Sequence, residues 1–186
     1  MAGAKKKAWK QGRQIVFVDE AGFYLLAGVV RTYAPIAERP VLHPVVTRDH
    51  LSVVSAVTAT AQLYAQIYPR SIDGATSLLF VQHLVEKVGG PMILVWDRAS
   101  IHRAEAQAWI IAQCKRQVLV EPLPAYAPEL NPDEGVWQYL KDVELPNISC
   151  LNLRQLRLYL HRALMRLRSK PHLLRSFFDG AGLSLE

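Results

Sequence analysis

The chain has little cysteine: two residues in 186, Cys114 and Cys150, neither in a CxxC pair. That excludes a disulfide framework and a cysteine zinc site, and is the usage of reduced thiols in a cytosolic protein. No apolar run approaches the roughly 20 residues of a membrane-spanning helix. The basic N-terminus, MAGAKKKAWKQGR, lacks the apolar segment a signal peptide needs. There is no P-loop, no GxGxxG and no HExxH, and the six histidines have no zinc spacing. Ser100 and His102 lie two apart without a nucleophile-elbow context. Repeats and low-complexity tracts are absent beyond one lysine run.

Acid is missing from both ends. Residues 1–13 hold five Lys/Arg and no acid, and residues 154–175 hold seven and no acid. Between them, residues 14–153 carry ten basic and fourteen acidic side chains, a net of −4. The overall +6 therefore belongs to the two ends. Basic ends suit a phosphate backbone, or serve as a solubilising tail and an ordinary solvated helix face.

At this length the chain is one domain: a basic tail over 1–13, a folded unit over 14–170 and a C-terminal tail over 171–186. QIVFVDE (14–20) is β-rich, with Ile15, Phe17 and Asp19 on one face. Residues 24–33 and 41–46 read as short strands, and 51–60 and 62–69 as neighbouring strands. Apolar spacing predicts a helix over 74–88, and PMILVWD (91–97) reads as a strand buried on both faces. A helix over 104–115 and a strand over 117–120 follow. Prolines 122, 124, 128 and 132 stiffen the chain up to Asn131, which caps a helix reaching about Asp142. Asn152 with Gln155 resembles a capping box opening a helix with apolar residues at 153, 156, 160, 164 and 167. This order gives α/β with a mixed sheet, antiparallel first and crossover-connected afterwards.

Three carboxylates stand where a site forms in such a fold. Asp19 ends the first strand, Asp97 ends the buried one, and Glu134 lies in the first turn after the proline loop. Brought together, they repel, so one stays protonated or cations neutralise them. Oxygen-only donors suit hard cations such as Mg²⁺ or Mn²⁺. Glu134 has a competing structural role: three residues after Asn131, it can complete a capping box.

With these residues in view, the chain resembles the DDE catalytic domain of the IS630/Tc1/mariner transposase superfamily over roughly residues 14–168. FVDEAGFYL looks like the first-Asp block and RTYAP like the segment that follows it; LVWDRASIHRA looks like the second-Asp block. LPAYAPELNPDEGVWQYLK resembles the Pro-rich block carrying the Glu, and 36 residues separate Asp97 from Glu134, a spacing similar to the family's. The resemblance implies an RNase H-like fold, a mixed five-stranded sheet flanked by helices. It implies metal-dependent cutting and joining of DNA by Asp19, Asp97 and Glu134, with two Mg²⁺ (or Mn²⁺) ions. Asp19 would bridge the ions, and Asp97 and Glu134 would each hold one side. The partners implied are transposon ends and target DNA, a second protomer in a synaptic complex, and no membrane, in a cytoplasmic, nucleoid-associated setting.

Trp137 matches a family position and reads as core packing. Lys141, seven residues past Glu134, and His102 are candidate DNA contacts, as are Arg154, Arg157, Arg162 and Arg166 of the basic helix, which equally could face a second protomer. Three departures stand out. Arg98 replaces the usual Asn, Asp133 replaces a usual apolar residue, and no helix-turn-helix precedes the first strand. The last suggests the second half of a split frame with a separate helix-turn-helix polypeptide, a truncated copy, or a domesticated remnant. Two other functions compete: a non-catalytic DNA- or partner-binding remnant on the same scaffold, and an RNase H-like nuclease for RNA–DNA hybrids or structured DNA.

Overall fold

The structure, a computed structural model, describes residues 10–25, 49–97, 104–114, 116–124 and 127–183, together with the single positions 8, 33, 35, 36 and 41. Most of the segments expected as strands over 24–33 and 41–46, and most of the basic N-terminus, lie outside the described residues.

The β-rich N-terminal run becomes β1 (Gln14–Tyr24), which pairs antiparallel with β2 (His50–Thr58). β2 in turn pairs antiparallel with β3 (Leu63–Tyr68). α1 (Gly74–Val88) starts behind Asp73, whose carboxylate accepts from Thr76 N–H, and stops at Gly89 in the left-handed region (φ 66°). The chain then returns as β4 (Met92–Trp96), parallel to β1, and after α2 (Ala104–Trp109) and a π-helical turn (Ile110–Cys114) as β5 (Val118–Pro122), parallel to β4. The sheet has five strands in the order β3-β2-β1-β4-β5. Its antiparallel half and crossover half are divided as the sequence order implies.

Strand alternation sorts the side chains onto two faces. Val16, Val18, Val54, Ala56, Leu94 and Trp96 meet Phe80 and Leu84 of α1 and Ala106 of α2. Phe17, Val53, Val57, Ile93 and Val95 point the other way. Three helices cover that second face: α3 (Pro132–Tyr139, continued by a π-helical turn Leu140–Glu144), α4 (Leu153–Arg168) and α5 (Pro171–Gly180). The apolar stripe of α4 is buried as its spacing predicts, at Leu156, Leu160, Ala163, Leu164 and Leu167.

The expected tail over 171–186 is corrected by the structure. Residues 171–180 form α5, and Leu174, Phe178, Ala181 and Leu183 join the core. Phe178 packs edge-on against Phe17 of β1 (centroids 5.6 Å, 80°). Phe177 sits against Gly135 of α3, where an added Cβ would come within 2.7 Å of its ring. Only glycine permits so close an approach, so α5 clamps α3 onto the sheet. No helix among the described residues is long and apolar enough to cross a membrane.

Candidate active site

The β1–β4 register ends with Val18 opposite Trp96, so Asp19 and Asp97 follow side by side where the two parallel strands part; Asp19 does not end its strand as the sequence implied, because β1 runs on to Tyr24, paired with β2. Asp19 shares the face of Phe17, the face covered by α3. Glu20 alternates to the other side, in register with Val54 of the opposite cluster, as the sequence implies.

The third acid arrives through the proline-rich loop. Pro128–Leu130 forms a single 3₁₀ turn, and Asn131 N–H donates to the Pro128 carbonyl (2.8 Å). Asn131 Oδ1 accepts from Asp133 N–H (3.2 Å), and Pro132 takes the first helical position. A capping box would need the Asn131 N–H for the Glu134 side chain. That donor is already used by the loop. Glu134 therefore stands exposed in the first turn of α3 rather than folded back as a cap.

Electrostatics link the three. Burial pushes the Asp19 carboxyl up to about 6, against hydrogen bonds from the Glu20 backbone and Trp137 that favour its charged form; the charges of Glu134 and Asp97 raise it further. Both neighbours are thus close enough to be felt. The Trp137 indole N–H donates to Asp19 Oδ2 (3.0 Å) and fixes its orientation. Trp137 is also 4% exposed and edge-on to Phe23 (6.0 Å), so it packs the core, as its apolar character predicts, and in addition holds the site. The signal for that second role was its spacing: three residues after Glu134, it shares that helix face.

Asp133 is the other site residue that sequence reasoning did not place. It is fully buried, accepts from Ser55 Oγ–H (2.6 Å), and leaves its Oδ2 with no hydrogen-bond partner. Ser55 is the cross-strand partner of Asp19. Burial holds the Asp133 carboxyl well above the usual range, helped by the charges of Asp19 and Glu134 and opposed by the Ser55 hydrogen bond. A serine between Val54 and Ala56 in β2, and an acid at an apolar position, were its signals in the sequence.

The other candidates scatter. Lys141 is exposed, its ammonium 5.6 Å from the centre of the Phe23 ring. Arg154, Arg157 and Arg162 are exposed on α4. Arg166 is held by Glu144, Nε donating to Oε2 (2.7 Å). Arg98, Ser100 and His102 lie outside the described residues.

Asp19, Asp97 and Glu134 offer only carboxylate oxygens, and Asp19 resists ionising beside the other two; that donor chemistry fits a hard divalent cation. Among the described residues, no three His, Cys, Asp or Glu side chains converge into a closed metal-holding set. The acids stand near one another without being drawn together.

A mixed sheet in this order, with helices on both faces and acids just past the last paired residues of its two central parallel strands, is an RNase H-like domain. Residues 14–157 match the family described as DDE superfamily endonuclease, and the chain belongs to that family. The fold is similar to the mariner Mos1 paired-end complex with Mg (TM-score 0.63, 16% identity, 97% of this chain and 60% of that one). It is also similar to the Mos1 paired-end complex with the left transposon end (0.61, 15%, 97% and 60%). The isolated Mos1 catalytic domain gives 0.55 at 13% identity, over 97% of this chain and 87% of that one. The chain thus spans about three fifths of the longer Mos1 chains. No curated protein matches it in sequence.

Proposed function

We propose that this domain is the catalytic part of a transposase, cutting DNA at the ends of a mobile element and joining it to a target. Asp19, Asp97 and Glu134 are its metal ligands. The observation that carries this is the placement of three acids from three separate stretches of chain: Asp19 and Asp97 just past the last β1–β4 pair, and Glu134 in the first turn of the helix over that face. Two Mg²⁺ or Mn²⁺ ions, when bound, would activate the attacking oxygen and stabilise the leaving one at a scissile phosphate. Asp19, between the other two acids and aimed by Trp137, would bridge the ions; Asp97 and Glu134 would each hold one of them. In the first step water attacks the phosphodiester and frees a 3′-hydroxyl. In the second that hydroxyl attacks a target phosphodiester, forming a new bond to its phosphorus while the target strand's 3′-oxygen leaves as a hydroxyl.

The same reading brings further proposals. The substrates are transposon ends and target DNA, met in a dimeric synaptic complex in the cytoplasm at the nucleoid. A helix-turn-helix recognition element, on this or a separate polypeptide, would locate the ends. Mg and Mn complexes and transposon ends are named for the similar Mos1 structures, which supports divalent ions and DNA here.

Nicking of supercoiled plasmid in Mn²⁺ tests the assignment. Wild-type protein should nick and Asp97→Asn should not; nicking that survives the substitution would sink the metal–carboxylate mechanism.

A further inference from the structure

The two flanks of α4 carry its basic residues to different surroundings. At 100° per residue, Arg162 and Arg166 fall on one flank. There Glu144 takes Arg166 and also lies 3.7 Å from the Lys170 ammonium. Arg154, Arg157, His161 and Arg168 fall on the other flank, beside edge strand β3.

On that side α4 and β3 enclose a groove of about 420 Å³. Ala65–Tyr68 form one wall, and Arg157, His161, Leu164 and Arg168 the other; no acid lines it. Arg168 is pinned there, its guanidinium donating to the Leu63 carbonyl (3.0 Å) and the Ala65 carbonyl (3.3 Å). Those bonds cover outward-facing carbonyls of the edge strand and so block further strand pairing. They also bring a cation into the groove against neutral acceptors only. Burial lowers the Arg168 guanidinium from its usual value, the mark of a charge that gives up water without gaining an anion.

We infer that the groove between β3 and α4 takes the phosphate backbone of a DNA duplex, as a binding track outside the carboxylate centre. Charge complementarity supports this occupant: three cationic or hydrogen-bond-donating side chains at i, i+4 and i+11 face one cleft without an acid. Guanidinium forks match phosphate oxygens, and Gln66 and Tyr68 add neutral polar groups at the wall. Ala65 lies in register with Ser55, and Ser55 with Asp19, so groove and acids share one row and one face of the sheet. The α3 and α4 helices lie over that face, making the groove a second track rather than part of the cleavage centre. The inference rests on the reading that this domain acts on DNA.

The test is fluorescence anisotropy with a labelled duplex, without divalent ions, so it is independent of the nicking assay on Asp97→Asn. Arg157→Ala combined with His161→Ala should weaken binding about tenfold at ~0.1 M salt. It should also reduce the slope of log affinity against log salt by about 0.9 for each phosphate the variant no longer neutralises. Arg175→Ala, a neutralisation elsewhere on the surface, should leave both unchanged. Unaltered affinity and slope in the double variant would overturn the inference. So would a changed oligomeric state by light scattering with DNA binding intact, which would make the groove a protein interface.

Discussion

The helices α3 and α4 begin behind the same device. Asn131 and Asn152 each accept a hydrogen bond from a first-turn N–H, and a longer polar side chain follows three residues later. In α4 that residue, Gln155, turns back: its Oε1 accepts from Leu151 N–H (2.8 Å) and closes the cap. In α3 it is Glu134, and closure is blocked because the 3₁₀ turn already satisfies both the equivalent Leu130 N–H, which donates to the Ala127 carbonyl, and the cap's own Asn131 N–H, which donates to the Pro128 carbonyl. The same local pattern is thus structural in one helix and leaves a free carboxylate in the other. What differs is the chain upstream. The rigid prolines relieve the cap of one duty and free Glu134 to stand near Asp19.

The largest effect should separate the two positions by activity. Glu134→Gln keeps the length and polarity of the side chain but removes a metal-ligating charge. Even outer-shell changes at metal sites cost about 10–100-fold, so nicking should fall by at least about a hundredfold. The urea midpoint should stay put, because no cap is lost. A drop in stability alone would return Glu134 to a capping role.

The next effect is in the pH dependence of the metal-free protein. Asp19 titrates at about 6 in the fold and near 3.8 unfolded. Between those values the folded state binds more protons, so stability falls as pH rises through the window. The loss is on the order of 3 kcal/mol by pH 7. Denaturant melts at pH 4 and pH 7 in EDTA measure it, and Mn²⁺ should restore part of the loss at pH 7. A flat profile would mean that burial does not raise the Asp19 carboxyl.

Much of this was legible in the sequence. Asp19 and Asp97 could be paired because parallel neighbours share a register, and β1 and β4 do, although β1 continues past Asp19 to Tyr24. Helix α4 was readable from its heptad-like leucines. The C-terminal helix was not. Its anchors Phe177 and Phe178 are two side chains on one short helix, and their partners Gly135 and Phe17 are distant in sequence. Nor could sequence choose between cap and ligand for Glu134, since the choice depends on where one loop N–H points. Asp133 drew notice only as an acid in an apolar position; its hydrogen bond with Ser55 crosses from helix to sheet.

Asp133 sharpens the contrast from inside α3. A buried carboxyl with an unpartnered oxygen costs about 1–3 kcal/mol. Asp133→Val should therefore stabilise the protein by about 1 kcal/mol at pH 7, the gain shrinking toward pH 4 as the wild-type acid becomes neutral in the unfolded chain too. Gly135→Ala, two residues on, should do the opposite. Its Cβ would lie 2.7 Å from Phe177, and such overpacking costs about 1–3 kcal/mol. Thermal melts of the two variants give shifts of opposite sign from positions in the same turn.

The smallest effect belongs to α4. Gln155→Ala removes the side chain that satisfies Leu151 N–H but keeps Asn152, whose Oδ1 still accepts from the residue-155 N–H (2.9 Å). Half of the cap survives, so the loss should be near the lower end of capping energies, about 0.5–1 kcal/mol. Nicking and duplex binding should be unchanged, because the first turn of α4 is fixed more by the burial of Leu156 and Leu160 than by its cap. The variant is then the mirror image of Glu134→Gln: stability moves without activity in one, and activity without stability in the other. If Gln155→Ala instead weakened duplex binding, the cap would be setting the angle at which Arg154 and Arg157 meet DNA, and the two helix starts would differ less than their hydrogen bonds suggest.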